Sequence, residues 1–170
     1  VSESRGLGDV YKRQVAQVNS YGSATTGVIT ATISDQTIAA LDDLTTSSAD
    51  QLTITVASTS ATASQLTTVA GATGLNVTAT AVEAISNSSV AQVKSLLTDE
   101  GSTGDKVNLD GNFTVAINDT GTVDAADLNT INSATSGLVT ATGVATINGV
   151  ASAITTLIGN EGTSGDKVAL

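Results

Sequence analysis

Apolar residues in this chain follow two rhythms that take turns. In some stretches they alternate with polar ones, as in "VITATI" from Val28, "LTITVA" from Leu52 and "LNVTATAV" from Leu75. The same beat returns in "KVNL" from Lys106, "LVTATGV" from Leu138 and "KVAL" from Lys167. Period two is the signature of a strand with one buried face. Leu52, Ile54 and Val56 therefore share one side, and Thr53 and Thr55 the other. A further run, "FTVAI" from Phe113, follows the turn signal Asp110-Gly111. Leaving that one aside, the runs begin 23 to 32 residues apart.

Between the runs the period lengthens. Ile38, Leu41 and Leu44 recur at helical spacing, as do Leu66 with Val69, Val90 with Val93 and Leu97, and Leu128 with Ile131. The last such group is Val150, Ile154, Leu157 and Ile158. Ser34 or Asp35, Ser60, Ser88, Asp124 and Asn148 stand where helix N-caps are expected, because their side-chain oxygens can accept from free helix N–H groups. Gly71, Gly137 and Gly159 stand where helices should stop. The unit is a strand, a short helix and a return.

The units also repeat at longer range. "LLTDEGSTGDKVNL" (Leu96 to Leu109) is echoed by "LIGNEGTSGDKVAL" (Leu157 to Leu170), with Lys106 and Lys167 61 residues apart. "GLNVTATAV" from Gly74 is echoed by "GLVTATGV" from Gly137. Single units of this size cannot bury their apolar face alone, whereas stacked ones can. The predicted fold class is an α/β repeat: a β/α solenoid with parallel strands on one side and short helices on the other. Its inward positions are Ile29, Ile33, Leu52, Ile54, Val56, Leu75, Val77, Val115, Ile117 and Val139. A compact α/β domain with a doubly wound sheet is the alternative arrangement of the same elements.

Composition sharpens this picture. The 170 residues include no Trp, Met, Pro, His or Cys, and 2% are aromatic, yet 40% are hydrophobic. A core of thin aliphatic layers fits better than one with bulky centres. Without His or Cys, the commonest general base, thiol nucleophiles and most zinc chemistry are excluded. No nucleophile elbow, phosphate loop or isolated carboxylate pair stands out, so an enzyme is not expected. The net charge of −10 repels phosphate backbones and anionic membranes, which disfavours nucleic-acid and lipid-surface partners. No apolar run approaches the roughly 18 residues of a membrane helix, so no membrane insertion is expected.

One stretch is unlike the rest. "VSESRGLGDVYKRQ" holds Arg5, Lys12 and Arg13, half of all the basic residues. It resembles a translated sequencing-adapter tail, as found at the ends of fragmentary metagenomic reading frames. Residues 1–14 are therefore expected to be a foreign or disordered tail, and residues 15–170 the solenoid repeats, truncated at both ends. A basic N-terminal arm is the alternative.

From Val15 onward the phrases "GLVTATGVATING" and "GDKVAL" and the Thr/Ala-rich, acidic composition resemble the repeat tracts of large adhesin-like surface proteins of marine bacteria. The resemblance implies a structural segment, a spacer or stalk, of a large secreted or cell-surface protein. It implies an extracellular place and neighbouring repeats of the same chain as the main partners, and it carries over no functional residues.

Two sets of residues suggest chemistry. Thr-x-Thr recurs at Thr30/Thr32, Thr53/Thr55, Thr78/Thr80 and Thr140/Thr142. Strands stacked about 4.8 Å apart would set these hydroxyls in a flat two-column array, the geometry of an ice-binding face. The plainer reading is that Thr favours exposed strand positions. The second set is acidic: Asp119, Asp124 and Asp127 in "NDTGTVDAAD", and Asp105 and Asp166 in the two "GDKV" loops. Carboxylates spaced along turns can supply calcium's oxygen ligands, so calcium is the one cofactor weighed against none. Here too a plainer reading exists, with Asp124 a helix cap and Asp105 and Asp166 turn formers.

Overall fold

The computed structural model describes residues 12–104 and 106–170. Along the chain it holds β1 (Lys12–Arg13), α1 (Val15–Ala24), β2 (Thr30–Ile33), α2 (Ile38–Leu41), β3 (Gln51–Thr55) and β4 (Ser60–Ala61). Next come α3 (Ala63–Gly71), β5 (Val77–Ala79), β6 (Ala84–Ser88), α4 (Val90–Thr98), β7 (Val107–Leu109) and β8 (Thr114–Ile117). The last elements are β9 (Thr122–Asp124), α5 (Ala125–Ser133), β10 (Val139–Thr140), β11 (Thr146–Asn148), α6 (Ala151–Gly159) and β12 (Val168–Ala169). This is an α/β fold of parallel strands and short helices.

Among the described residues every strand pair is parallel, and the strands lie in two five-stranded sheets and one pair. One sheet runs β1-β2-β3-β5-β7, the other β4-β6-β8-β10-β12, and β9 pairs with β11. Within each sheet the order follows the chain. Registered partners lie one unit apart, as Lys12 with Thr32 and Val77 with Val107. The helices touch in the same succession: α2 meets α3, α3 meets α4, α4 meets α5 and α5 meets α6.

Two features depart from expectation. The strands do not make a single sheet: most units carry a second short strand just before the helix, of which β4 and β6 start the other sheet that β8, β10 and β12 continue, and β9 and β11 form the pair. Ala61, Ile85 and Val123 are its inward apolar residues, each with Ser, Thr or Asp on at least one side, a signal too short to register as a period. The unit from Val107 carries three strands. Its extra run, the "FTVAI" segment, is β8, which pairs with β6 before it and β10 after it. Phe113, the only phenylalanine, fills the crowded middle of this unit and is fully buried.

The core is the expected aliphatic one. Of the predicted inward residues, Ile33, Leu52, Ile54, Val56, Val77, Val115, Ile117 and Val139 are buried, while Ile29 and Leu75 at the strand approaches are half-buried. Burying one such side chain contributes about 1.5–3 kcal/mol, and the many thin layers add up where aromatics are missing. Among the described residues no helix is long and apolar enough to cross a membrane.

The helix ends show where local sequence reading fell short. Asp124 caps α5 as expected, its Oδ1 accepting from Ala126 N–H at 2.8 Å. The caps of α2, α3, α4 and α6 are instead Thr37, Thr62, Ser89 and Val150. Thr62 and Ser89 form capping boxes with Gln65 and Gln92, a pairing that fixes the helix start. Gly71 and Gly159 end α3 and α6 as expected. Gly137 does not end a helix, since α5 is already capped by Ala134. A Cβ there would stand 2.7 Å from Asn112 O, and nearer still to Phe113 O, so only glycine lets the chain pass.

The expected boundary after residue 14 falls inside the first unit. Lys12 and Arg13 pair with Thr32 and Ile33, and Gln14 is the N-cap of α1. Residues 1–11, the rest of the stretch read as foreign, lie outside the described residues.

Candidate functional site

Thr30, Thr53, Thr78, Thr80 and Thr142 are exposed, and Thr32, Thr55 and Thr140 half-buried, so the set does face outward. The flat two-column array does not form. Thr32 stands beside Thr53 and Thr55 beside Thr78, but Thr30 faces Gln51 and Thr78 faces Asn108 on its other side. The Thr pairs recur at 23 and 25 residues, whereas the strands register at 21 and 23. Each pair therefore slides two residues, about 6.7 Å along the strand, relative to the one before. Thr140 sits in the other sheet between Ala116 and Ala169. The hydroxyls make a staircase broken between two sheets.

The acidic set is partly brought together. Asp119, Asp124, Asp127 and Lys94 line a shallow groove of about 410 Å³ between the N-terminal ends of α4 and α5, floored by Val90 and Val123. Each carboxylate already has a partner there. Asp119 Oδ2 accepts from Val90 N–H at 2.7 Å, Asp124 caps α5, and Asp127 Oδ1 accepts from Lys94 Nζ at 2.5 Å. The lysine ammonium stands where a bound cation would compete. Among the described residues no group of three or more acidic side chains converges to hold a metal.

The "GDKV" loops turn out to serve the helices before them. Lys106 Nζ donates to Thr98 O at 3.0 Å and Lys167 Nζ to Gly159 O at 3.3 Å, so each lysine sits on the last carbonyls of α4 or α6. A cation at a helix C-terminus is favourable because the end carbonyls carry partial negative charge. Gly104 and Gly165 precede the Asp of each loop with φ of 73° and 66°, a left-handed turn that glycine adopts without strain. Asp166 Oδ1 accepts from Asn132 Nδ2 at 3.1 Å, and Asp105 lies outside the described residues.

Sequence reasoning missed two sets of polar residues. One is Thr73 and Thr135, both buried and 62 residues apart, at equivalent places in the long repeat. Thr73 Oγ1 accepts from Leu52 N–H at 2.9 Å and Leu75 N–H at 3.1 Å, and donates to Leu52 O at 2.9 Å. Thr135 Oγ1 donates to Phe113 O and accepts from Gly137 N–H at 3.0 Å. A side-chain hydroxyl thus replaces a backbone rung where one unit meets the next. The signal was the shared "AT" before Gly-Leu or Ser-Gly-Leu, overlooked because Thr is so common here.

The other set links helix starts to the following unit. The first helical N–H of α1 donates to Asp35 Oδ2 at 2.9 Å, and that of α2 to Ser58 Oγ at 2.9 Å. That of α3 donates to Ser88 Oγ at 2.9 Å, and that of α4 to Asp119 Oδ2 at 2.7 Å. Asp35 and Ser88, expected as caps of their own helices, cap the helix one unit back. At α5 the ladder lapses. Gly149, with φ of 141°, occupies the place where a side chain would meet Ala125 N, a Cβ there standing 3.6 Å from it.

A second groove, of about 250 Å³, lies between the end of α1 and residues 45–50. Its one carboxylate, Asp50, is buried and accepts from Ile29 N–H at 2.8 Å and Ser47 N–H at 3.1 Å. The carboxylates of both grooves are thus already engaged, within a unit or across to the next. No protein-family model, no curated protein and no solved structure matches the chain.

Proposed function

We propose that the chain is a structural repeat segment, a spacer or stalk of a large secreted or cell-surface adhesin-like protein, with no catalysis of its own. In this reading its units stack as the coils of a β/α solenoid, and its main partners are the neighbouring repeats of the same chain. The supporting observation is that strands pair, in parallel and in chain order, with strands of the units before and after them, and that each helix from α2 to α5 meets the next. Each added unit lengthens such a stack by about one strand spacing, ~4.8 Å. Length set by repeat number is what a spacer requires. The secreted or surface location rests on the resemblance to adhesin repeat tracts.

The test compares two deletions by urea unfolding. In a stack, stability is close to a sum of unit and nearest-neighbour interface contributions. Removing residues 138–170 at one end forfeits one interface, so it is expected to cost less than excising residues 75–106, which breaks two and forces a mismatched junction. Equal losses would point to a compact doubly wound domain and overturn the reading.

A further inference from the structure

Among the described residues the strands stack in three columns, β1-β2-β3-β5-β7, β4-β6-β8-β10-β12 and β9-β11. The three-strand unit from Val107 is where the columns shift. Its first strand, β7, is the last of the first column, and its third, β9, is the first of a new one. The shift leaves one edge of β7 and one edge of β9 without a column neighbour, both in the interior of the chain.

The edge of β7 is covered. Glu100 bridges Val107 there, with Val107 N–H donating to Asp99 O and Gly101 N–H to Val107 O, both at 2.9 Å. Glu161 covers β12 in the same way, by a bridge to Val168. An open strand edge invites pairing with another chain, which is what such covers prevent. The edge of β9 has no cover of this kind. It pairs with β11 alone, and among the described residues no bridge reaches its other side.

That other side opens on the groove of about 410 Å³ between α4 and α5. Thr122, Val123 and Asp124 of β9 line it together with Val90, Ala91 and Lys94 of α4. Gly121 O accepts from Thr146 N–H of β11 at 3.2 Å. The N–H of Thr122, on the opposite side of the same planar trans peptide unit, therefore points away from β11 and toward the open edge.

The groove has an apolar floor, Val90 and Val123, and an acidic rim. Asp119, Asp124 and Asp127 each engage a neighbour through one carboxylate oxygen, the last through its pair with Lys94. Three carboxylates outweigh one ammonium and two helix starts of about half a positive charge each. The rim favours a cationic occupant.

We propose that the open edge of β9 takes an extended peptide with basic side chains, bound as an added strand in this groove. Peptide backbone groups meet the edge at Thr122, and a Lys or Arg side chain reaches the remaining oxygens of Asp119 and Asp124. The three residues of β9 span about 10 Å, so the contact is short and its affinity modest. A second copy of this chain is a poor occupant, because its own acidic rim would face this one. The groove lies between units inside the chain and exists whether or not the chain is a stalk, so the deletion experiment does not decide it.

The probe is a fluorescein-labelled peptide, Val-Arg-Val-Arg-Val, titrated with the full chain and followed by anisotropy. A saturable rise is expected, and none from Val-Glu-Val-Glu-Val. Thr122→Pro removes the outward N–H at the first residue of the strand, where proline is tolerated, and keeps the bond from Thr146 N–H to Gly121 O. It should weaken binding several-fold while leaving the circular dichroism spectrum unchanged. Lys94→Gln removes the competing ammonium and should strengthen binding, a gain that no misfolded variant would give, so it decides the matter even if Thr122→Pro fails to fold. Binding that a folded Thr122→Pro leaves unchanged is charge attraction alone and overturns the proposal. So does Lys94→Gln binding no tighter than wild type, or an arginine peptide that gives no rise up to about 1 mM protein, where even a millimolar contact would show.

Discussion

Thr73→Val tests whether a side-chain hydroxyl carries part of the ladder between units. Valine has nearly the same shape, so the apolar contacts survive and only the hydroxyl is lost. Leu52 N–H, in a fully buried residue, then has no acceptor at Thr73, and Leu75 N–H loses its own. A buried donor left unpaired costs about 1–3 kcal/mol, and the half-buried second donor adds less, so the expected loss is about 2–4 kcal/mol. For a chain of this size that lowers the melting temperature by roughly 4–16 °C. Thr73→Ser is the control. It keeps the hydroxyl and forfeits one methyl group, at about 1 kcal/mol. Urea and thermal unfolding followed by circular dichroism give both values. If Thr73→Val proves as stable as Thr73→Ser, the hydroxyl is not a rung.

Gly137→Ala should lower the melting temperature, because it drives a methyl into the Phe113 and Asn112 carbonyls, whereas Gly159→Ala meets open space within α6 and should not; similar melting temperatures would contradict this. Asp119→Ala should cost about 0.5–2 kcal/mol by leaving Val90 N–H, the first of α4, without its acceptor from the next unit, while Ser89 still accepts from Gln92 N–H. Chemical denaturation checks it, and no loss would mean the bond across units is idle. Millimolar calcium should leave the melting temperature unchanged, since Lys94 and backbone N–H groups already hold Asp119, Asp124 and Asp127; a clear rise would show those carboxylates turning to a metal. Ice crystals grown with the protein should keep their ordinary habit, because the threonines stand in a staircase, and faceting would refute that.

Within single elements the sequence was legible. Period two located the principal strands, and Ile54, Val77 and Val115 face inward as the alternation requires. What escaped was everything set between units. The threonine array failed because register follows the core residues, not the Thr pairs: pairing Ile54 with Val77 fixes which hydroxyls meet. The caps were misplaced for a related reason. Asp35 and Ser88 look like ordinary helix caps, and nothing local reveals that their oxygens reach back 20 and 25 residues to Val15 and Ala63. The second strands were missed because a single apolar residue such as Ala61 or Val123 defines no period.

The reach of those caps has a consequence for how such a chain leaves the ribosome. A helix whose first N–H is closed by a residue 20 to 29 positions downstream, as Val15 is by Asp35 and Val90 by Asp119, cannot be finished when its own last residue emerges. It stays open until most of another unit has been made. The newest unit on a growing chain is therefore always the loosest, and each arrival locks the one before it. At Gly149 no side chain arrives to close α5, so that helix start rests on its own Asp124 and does not wait for the unit that follows.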